Sequence, residues 1–258
     1  MAQLQRLAIA PFQFRDGQII LTVEQQHYLL RVLRLRKGDR FIAIDARGQW
    51  WLAQLEDASS AQIKEPIDAK TELPVEVTLI VALPKGSGFD EVVRQTTELG
   101  VTMIVPALSQ RTLIKPSPQK LARWQRIATE AAEQSERQIV PVILEPVPFS
   151  TILSSLSQEV SQEANMQFIC VARGESNHLL TCLQEKKLAN IDGKKNIKII
   201  IATGPEGGWT PAEIEHARAA RFQPVSLGRR ILRAVTAPVV AMSLIAAVWE
   251  SNNFIETF

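Results

Sequence analysis

The sequence predicts an α/β fold in which a parallel sheet follows a smaller β-rich region. Three observations lead to this prediction. The second part of the chain contains apolar runs of strand length that do not alternate with polar residues, which is typical of strands buried on both faces. Helical patterns separate these runs. The chain has 258 residues, and at roughly 150 residues per domain that length suggests two unequal domains.

The first domain is predicted to span residues 1–70 and to be mostly β. Short runs rich in β-formers occur at 19–23, 41–45 and 50–55, the last two joined by a hairpin turn at 46–48. One helix interrupts them. Thr22 and Gln25 have the spacing of a capping box, and Gly38 closes the segment. Arg31 and Arg34 are three residues apart, so a helix would project both from one face.

A polar stretch bracketed by prolines, 66–74, predicts the linker to a second domain at 75–258. Strands are expected there in this order: 77–83, 103–107, 139–144, 168–172, 197–202 and 225–227. The intervening helices are expected at 89–99, from 117 onward, 178–188 and 211–221, with a final apolar helix at 236–249. Ligands of parallel sheets bind beyond the carboxyl ends of the strands, which directs attention to 84–88, 173–175, 204–208 and 228–233.

Composition excludes several classes of protein. Hydrophobic residues make up 46% and charged residues 22%, which argues against a disordered chain and a disulfide scaffold. We found neither eighteen consecutive apolar residues nor the basic-then-apolar order of a signal peptide, so a cytoplasmic protein is expected. The net charge of +2 does not by itself indicate nucleic-acid binding. However, basic residues cluster at 27–40 and 218–233, as either a phosphate-binding footprint or two solvated faces.

Metal binding is not expected. The sequence has no CxxC or HExxH motif, and its three histidines lie far apart along the chain. Cys170 and Cys182 lie in an apolar run and a helical pattern, as expected of small core residues in a cytosolic protein.

The segment 199–213, IIIATGPEGGWTPAE, carries the most information. An apolar strand leads into Gly204, Pro205, Glu206, Gly207 and Gly208, and a capped helix start follows. Glycines allow a backbone to approach a ligand closely and to expose its amides. A tight strand-to-helix turn is the alternative. The spacing matches neither GxGxxG nor the phosphate-binding P-loop.

The segment 226–237, SLGRRILRAVTA, is the second candidate. Arg229, Arg230 and Arg233 flank Ile231 and Leu232, which suggests an apolar slot with cationic edges. Such a slot can hold a purine ring and leave an arginine for a phosphate or a target nucleotide. An exposed basic loop before a helix is the alternative.

Together these segments resemble the SPOUT methyltransferases, and most closely the ribosomal RNA small subunit methyltransferase E family. The resemblance covers nearly the whole chain. Besides 204–208 and 227–236 it rests on four further motifs: HYLLRVLR with Gly38-Asp39, LPKG at 83–86, TELGV at 97–101, and RWQRI at 123–127 leading to EAAEQ at 130–134 and Arg137.

This resemblance implies an S-adenosylmethionine-dependent enzyme that methylates N3 of a uridine in small-subunit (16S) ribosomal RNA. It implies a PUA-like RNA-binding β-barrel at 1–70, a SPOUT domain at 75–258 with a deep carboxyl-terminal trefoil knot, and a homodimer. The partner is small-subunit rRNA or the small ribosomal subunit, and Arg31 and Arg34 are predicted to bind the RNA. Predicted cofactor contacts, mostly through backbone atoms, are Gly204, Pro205, Glu206, Gly207, Gly208, Leu227, Gly228, Ile231 and Leu232.

Arginine is the predicted catalytic residue, because loss of the N3 proton leaves negative charge on the pyrimidine that a guanidinium stabilises. Arg233 is the first candidate and Arg230 the second; neither can accept the proton. The base is unassigned, with Glu206 or solvent as candidates. Val235 stands where the family pattern has glutamate. Two alternatives remain: a SPOUT enzyme that modifies tRNA or a ribose hydroxyl, and a catalytically silent RNA-binding protein, for which Val235 is the sequence hint.

Overall fold

The computed structural model describes residues 4–45, 49–67, 71–112, 117–158, 165–189 and 197–251. The chain forms two compact units. Unit 1 comprises 1–72 and 129–140, and unit 2 comprises 73–128 and 141–258. The domain boundaries predicted from the sequence, 1–70 and 75–258, stay a prediction; the units differ from them in that 129–140 groups with the first unit.

Unit 1 is built on a mixed six-stranded sheet. Its strands are β1 (Arg6–Ile9), β2 (Phe14–Arg15), β3 (Gln18–Ile20), β4 (Arg40–Asp45), β5 (Trp50–Leu55) and β6 (Ser60–Ile67), in the order β1-β4-β5-β6-β3-β2. Among the described strands of this unit, β1 and β4 pair in parallel and the other pairs are antiparallel. The predicted hairpin turn at 46–48 lies outside the described residues. Large apolar side chains of several strands, among them Ile19, Phe41 and Leu55, form the core.

The predicted helix of unit 1 begins as expected but is shorter and changes its geometry. The amide of Gln25 donates to Thr22 Oγ1 at 3.3 Å, and the amide of Thr22 donates to Gln25 Oε1 at 2.9 Å, which completes the capping box. Helix α1 spans Val23–His27 and continues as one π-helical turn, Tyr28–Val32. The strand predicted at 19–23 ends earlier, at Ile20, because the cap at Thr22 starts a helix at Val23.

The segment 129–140 packs on the edge of the sheet of unit 1. Glu133 Oε1 accepts a hydrogen bond of 2.7 Å from the amide of Ala8 in β1, and Arg6 pairs with Glu136 at 2.8 Å. The buried Arg137 forms an ion pair of 2.6 Å with Glu72. These contacts join polar groups that would otherwise be buried without partners.

Unit 2 contains a parallel seven-stranded sheet, as the apolar runs predict. Its strands are β7 (Glu76–Ala82), β8 (Met103–Leu108), β9 (Val142–Ile143), β10 (Val147–Pro148), β11 (Asn165–Cys170), β12 (Lys198–Thr203) and β13 (Gln223–Val225). The order is β10-β8-β7-β12-β11-β13, with β9 also paired to β8. The strand predicted at 139–144 is reduced to two residues, since Pro141 precedes it and Pro146 follows, and proline removes a ladder donor.

The helices of unit 2 follow the predicted positions closely. They are α2 (Gly88–Glu98), α3 (Pro118–Gln134, which contributes residues to both units), α4 (Phe149–Gln158), α5 (Leu179–Ala189), α6 (Pro211–Ala219) and α7 (Thr236–Glu250). Helix α4 was not predicted. Helix α7 packs against α2, α5 and β12. Among the described helices, none combines the length and apolar character needed to span a membrane.

Candidate functional site

A cavity of unit 2 lies beyond the carboxyl ends of β11, β12 and β13, where parallel strands present ligand sites. Its volume is about 510 Å³. Three loops form most of its wall, one after each strand. The lining residues are Cys170, Val171, Ala172 and Arg173; Gly204, Pro205, Glu206, Gly207, Gly208 and Trp209; Leu227, Gly228, Arg230, Ile231, Leu232 and Ala234; and Arg111, Ile214 and Ala237.

The glycine turn, residues 204–208, is a tight loop whose shape depends on two glycines. The amide of Gly208 donates to the carbonyl of Pro205 at 2.8 Å, and Gly208 has φ +70°, a conformation that side chains disfavour. A Cβ at Gly204 would lie 3.1 Å from the indole Nε1 of Trp209. Trp209 in turn stacks on Phe149 with ring centroids 4.3 Å apart. The glycine turn therefore packs against the stacked pair of Trp209 and Phe149.

The start of α6 anchors the glycine turn from its carboxyl side. Thr210 caps the helix, and its Oγ1 accepts from the amide of Glu213 at 3.2 Å. The buried Glu213 accepts from the amide of Thr210 through Oε2 and from the amide of Gln110 through Oε1, both at 2.8 Å. This carboxylate thus joins the loop after β8 to the loop after β12.

Arg111 extends this connection to the cavity itself. Its guanidinium Nη1 donates to the carbonyl oxygen of Gly207, and its side chain lies where a Cβ on Gly207 would point, with Cδ 3.0 Å away. Gly207 therefore leaves room for an arginine that forms part of the cavity wall.

The arginine segment, residues 226–235, contributes a further part of the wall. Gly228 has φ +118°, and its amide donates to Ser226 Oγ at 3.1 Å. This turn directs the chain along the cavity, where Ile231 remains 65% exposed although it is apolar. The amides of Thr236 and Ala237 then donate to the carbonyl of Arg233 and start α7.

The chemistry of the wall is cationic and apolar. Arg111, Arg173 and Arg230 line the cavity, and Glu206 is the only carboxylate among the described lining residues. Burial raises the pKa of the Cys170 thiol to about 12, so this thiol stays protonated at neutral pH and is a poor nucleophile. The described residues contain no group of three or more His, Cys, Asp or Glu side chains arranged to hold a metal ion.

Comparison with known proteins agrees with this geometry. Residues 71–246 match the model of an RNA methyltransferase domain, and residues 21–65 match that of an RNA methyltransferase PUA domain. The ribosomal RNA small subunit methyltransferase E of Synechocystis is 50% identical over 248 residues, which cover 95% of this chain and 78% of that protein. The Bacillus subtilis enzyme of the same description is 30% identical, with 88% of each chain covered.

The chain belongs to the ribosomal RNA small subunit methyltransferase E family. A crystal structure of a family member from Neisseria gonorrhoeae, bound to S-adenosyl methionine, superimposes with a TM-score of 0.79. It is 30% identical and covers 96% of this chain and 98% of its own. The fold expected from the resemblance, a PUA-like region followed by a parallel-sheet SPOUT domain, is confirmed.

In this member of the methyltransferase E family, the residues predicted to contact a cofactor converge on one place. All nine, from Gly204 to Gly208 together with Leu227, Gly228, Ile231 and Leu232, line the cavity. Of the two predicted catalytic arginines, Arg230 is among the described lining residues and Arg233 is not. Their roles stay predictions.

Sequence reasoning missed Arg111 as a cavity residue. It follows β8, whose carboxyl end points to the same edge of the sheet as β7 and β12, so the strand-end rule that selected the other loops also applies to this one. Trp209 and Ile214 were missed because apolar residues beside a glycine turn and in a helix resemble ordinary core positions.

Arg31 and Arg34 are both exposed in unit 1, but they do not share a helical face. The π-helical turn ends at Val32, and Arg34 has φ +58°, the left-handed conformation. The amide of Leu35 donates to the carbonyl of Leu29, six residues earlier, at 2.9 Å and closes the end of the helix around Arg34. The expected shared face is therefore wrong, because a helix stop separates the two arginines.

Proposed function

We propose that this protein transfers a methyl group from S-adenosylmethionine to N3 of a uridine in small-subunit (16S) ribosomal RNA. The observation that carries the proposal is the convergence of all nine predicted cofactor residues on one cavity at the carboxyl edge of the sheet. Membership of the methyltransferase E family and the S-adenosyl methionine bound to the Neisseria relative support the choice of cofactor.

The cavity fits S-adenosylmethionine in size and in chemistry. A volume of about 510 Å³ lies within the range of roughly 300–1,000 Å³ that holds drug-sized ligands. The glycine turn offers backbone amides and carbonyls for polar edges, and Leu227, Ile231 and Leu232 offer apolar contacts for a purine ring. The buried Nε1 of Trp209 has no hydrogen-bond acceptor among the described residues and lies against the backbone of Gly204.

The bound cofactor would supply an electrophilic methyl group on a sulfonium. The protein holds the uridine in line with that methyl, and alignment of this kind can lower a barrier by several kcal/mol. Loss of the N3 proton spreads negative charge over the pyrimidine, which a positioned guanidinium stabilises. Because Arg230 lines the cavity and Arg233 does not, we place Arg230 first in this role and Arg233 second. The proton acceptor is left unassigned.

Unit 1 would position the RNA. Its PUA-type domain carries Arg31 and Arg34 as exposed cations within a basic segment, and phosphate contacts of this type fix register without reading sequence. Small-subunit rRNA or the small ribosomal subunit is the proposed partner, which places the protein in the cytoplasm.

The assembly that we propose is a homodimer with a deep carboxyl-terminal trefoil knot. The family resemblance supports both features.

Mass spectrometry of small-subunit rRNA from a deletion strain tests the reaction and its target together. We expect a single methyluridine to be absent from the deletion strain and restored by the wild-type gene. The Arg230→Ala gene should restore it poorly even when the protein accumulates normally. The proposal would be contradicted if the deletion strain lacked a ribose methyl group or a tRNA methyl group instead, or if its RNA lacked no methyl group.

A further inference from the structure

Loop 84–88, residues Pro84 to Gly88, leads from β7 into α2 and contacts one residue of the glycine turn and one of the arginine segment. The backbone amide of Lys85 donates to Glu206 Oε1 at 2.9 Å. At the other end of the loop, a Cβ on Gly88 would lie only 2.6 Å from Val235 Cγ1, so the Val235 side chain rests against the backbone of Gly88. One short loop therefore contacts the glycine turn and the arginine segment.

Pro84 is buried at the start of the loop, whereas the next three residues are open to solvent. Lys85, Gly86 and Ser87 are exposed, Gly86 has φ +69°, and the amide of Asp90 donates to the carbonyl of Ser87 at 3.0 Å to close the turn into α2. A loop with exposed residues and few buried contacts opens at low free-energy cost. The bond from Lys85 to Glu206 adds a third anchor to those at the two ends of the loop, the buried Pro84 and the contact of Gly88 with Val235.

Glu206 is the only carboxylate among the described residues that line the cavity, which makes it the natural protein candidate for the proton acceptor. Its Oε1 is instead engaged by an amide that belongs to a different loop. A carboxylate that accepts a backbone N–H forms one of the stronger hydrogen bonds of proteins, and this bond does not require the carboxylate to exchange a proton.

We propose that Glu206 is a positioning residue: its side chain ties the glycine turn, which lines the cofactor cavity, to loop 84–88, and it is not the base of the reaction. The inference rests on the proposed function for its catalytic consequence. The contact itself can be tested without any turnover.

Amide exchange of Lys85 reports the contact directly. In full-length protein without cofactor, Glu206→Ala should speed exchange of the Lys85 amide by about tenfold, since the variant removes a hydrogen bond to a charged group at an exposed site. Glu206→Gln keeps an oxygen that accepts the same bond, so it should retain part of the protection. Glu145→Ala, which removes an exposed carboxylate elsewhere in unit 2, should leave the Lys85 amide unchanged.

Binding and kinetics separate a positioning residue from a base. In calorimetry, Glu206→Ala should weaken S-adenosylmethionine by roughly five- to tenfold, with a smaller loss for Glu206→Gln. In methylation of small subunits from a deletion strain, KM for the cofactor should rise more than kcat falls, and the Gln variant should recover much of the loss. The acid limb of the kcat–pH profile should persist in Glu206→Gln.

Two results would overturn the inference. Unchanged Lys85 exchange in Glu206→Ala would show that the carboxylate does not hold the loop. Equal, large losses of kcat in the Ala and Gln variants, with cofactor affinity intact, would make Glu206 the base. If the wild-type protein methylates no small-subunit RNA, the proposed function fails, whereas the exchange experiment still decides whether Glu206 fixes the loop.

Discussion

Gly207 has no side chain, and the space that this leaves is occupied by Arg111 in the cavity wall. A Cβ at this position would meet Arg111 Cδ at 3.0 Å, and Arg111 Nη1 donates to the carbonyl of Gly207. The flexible arginine can move a few tenths of an ångström for one methyl group. It cannot remain in place beside a branched side chain.

We therefore expect a graded response at Gly207. Gly207→Ala should change S-adenosylmethionine affinity by less than about threefold, whereas Gly207→Val should weaken it by at least about tenfold because Arg111 is displaced from the wall. Calorimetry measures both, and a thermal melt checks that the fold survives. Normal affinity in Gly207→Val would mean that residues 204–208 are only a turn.

Gly88 and Val235 form a second close contact, in which the absence of a side chain on Gly88 leaves room for the side chain of Val235. Alanine at Gly88 should cost about 1–3 kcal/mol of stability, because its Cβ would lie 2.6 Å from Val235 Cγ1. In a Val235→Ala background the same change should cost much less, since the obstructing methyl groups are gone. Denaturant unfolding of the four proteins measures the coupling. Additive effects would rule out the contact.

Val235 also tests whether the family glutamate is needed. Valine accepts no hydrogen bond and carries no proton, so an active wild-type protein would show that a carboxylate at this position is dispensable. We expect wild-type activity, and a modest gain or no change in Val235→Glu, measured as methyl incorporation into small subunits from a deletion strain. An inactive wild type rescued by glutamate would favour the silent RNA-binding alternative.

At the scale of elements, the helix of unit 1 ends where the sequence pattern suggests that it continues. Arg34 adopts a left-handed conformation at the stop, where glycine is the usual residue. Arg34→Gly should therefore stabilise the fold by up to about 1 kcal/mol, measured by denaturant unfolding.

The same two arginines are predicted to bind RNA. The double variant Arg31→Ala, Arg34→Gly should weaken RNA binding and flatten its salt dependence. The slope of log affinity against log salt concentration should fall by about 0.7 for each phosphate of single-stranded RNA that is no longer neutralised. Lys64→Ala is the matched control, and an unchanged salt slope would assign both arginines to a solvated face.

The segment 129–140 gives unit 1 a pH-dependent contact. Burial, reinforced by the nearby Glu130, raises the pKa of Glu133 although its carboxylate accepts from the Ala8 amide. A raised pKa in the folded state means that ionisation of Glu133 lowers stability, so its stabilising contribution is complete at low pH and is lost as pH rises through the folded pKa. Glu133→Gln keeps an acceptor and removes the charge. We expect it to melt higher than wild type at pH 7 and to converge with wild type in acid; an identical pH dependence would contradict this.

For the molecule as a whole, the elements with long or strongly patterned sequences could be predicted and the short ones could not. Buried parallel strands such as β12 and the capping boxes at Thr22 and Thr210 were foreseen, because burial and capping leave a local pattern. Strand β1 and helix α4 were not, since their residues become ordered by packing on distant parts of the chain. The same limit explains the site: Gly204 to Gly208 were recognisable as a motif, whereas Arg111 reaches Gly207 across 96 positions of sequence.

The last prediction concerns assembly and rests on α7. One side of this helix is buried in the protomer through residues such as Ala241, Met242 and Ile245, while Val240 and Leu244 are only half-buried although they are apolar. A helix that is apolar around most of its circumference needs a second partner. We expect a dimer in sedimentation at micromolar concentration, and a shift toward monomer in Leu244→Lys, because burying an unpaired charge in an interface is costly. Glu215→Lys on α6 should remain dimeric. A monomeric wild type would exclude α7 as a dimer interface.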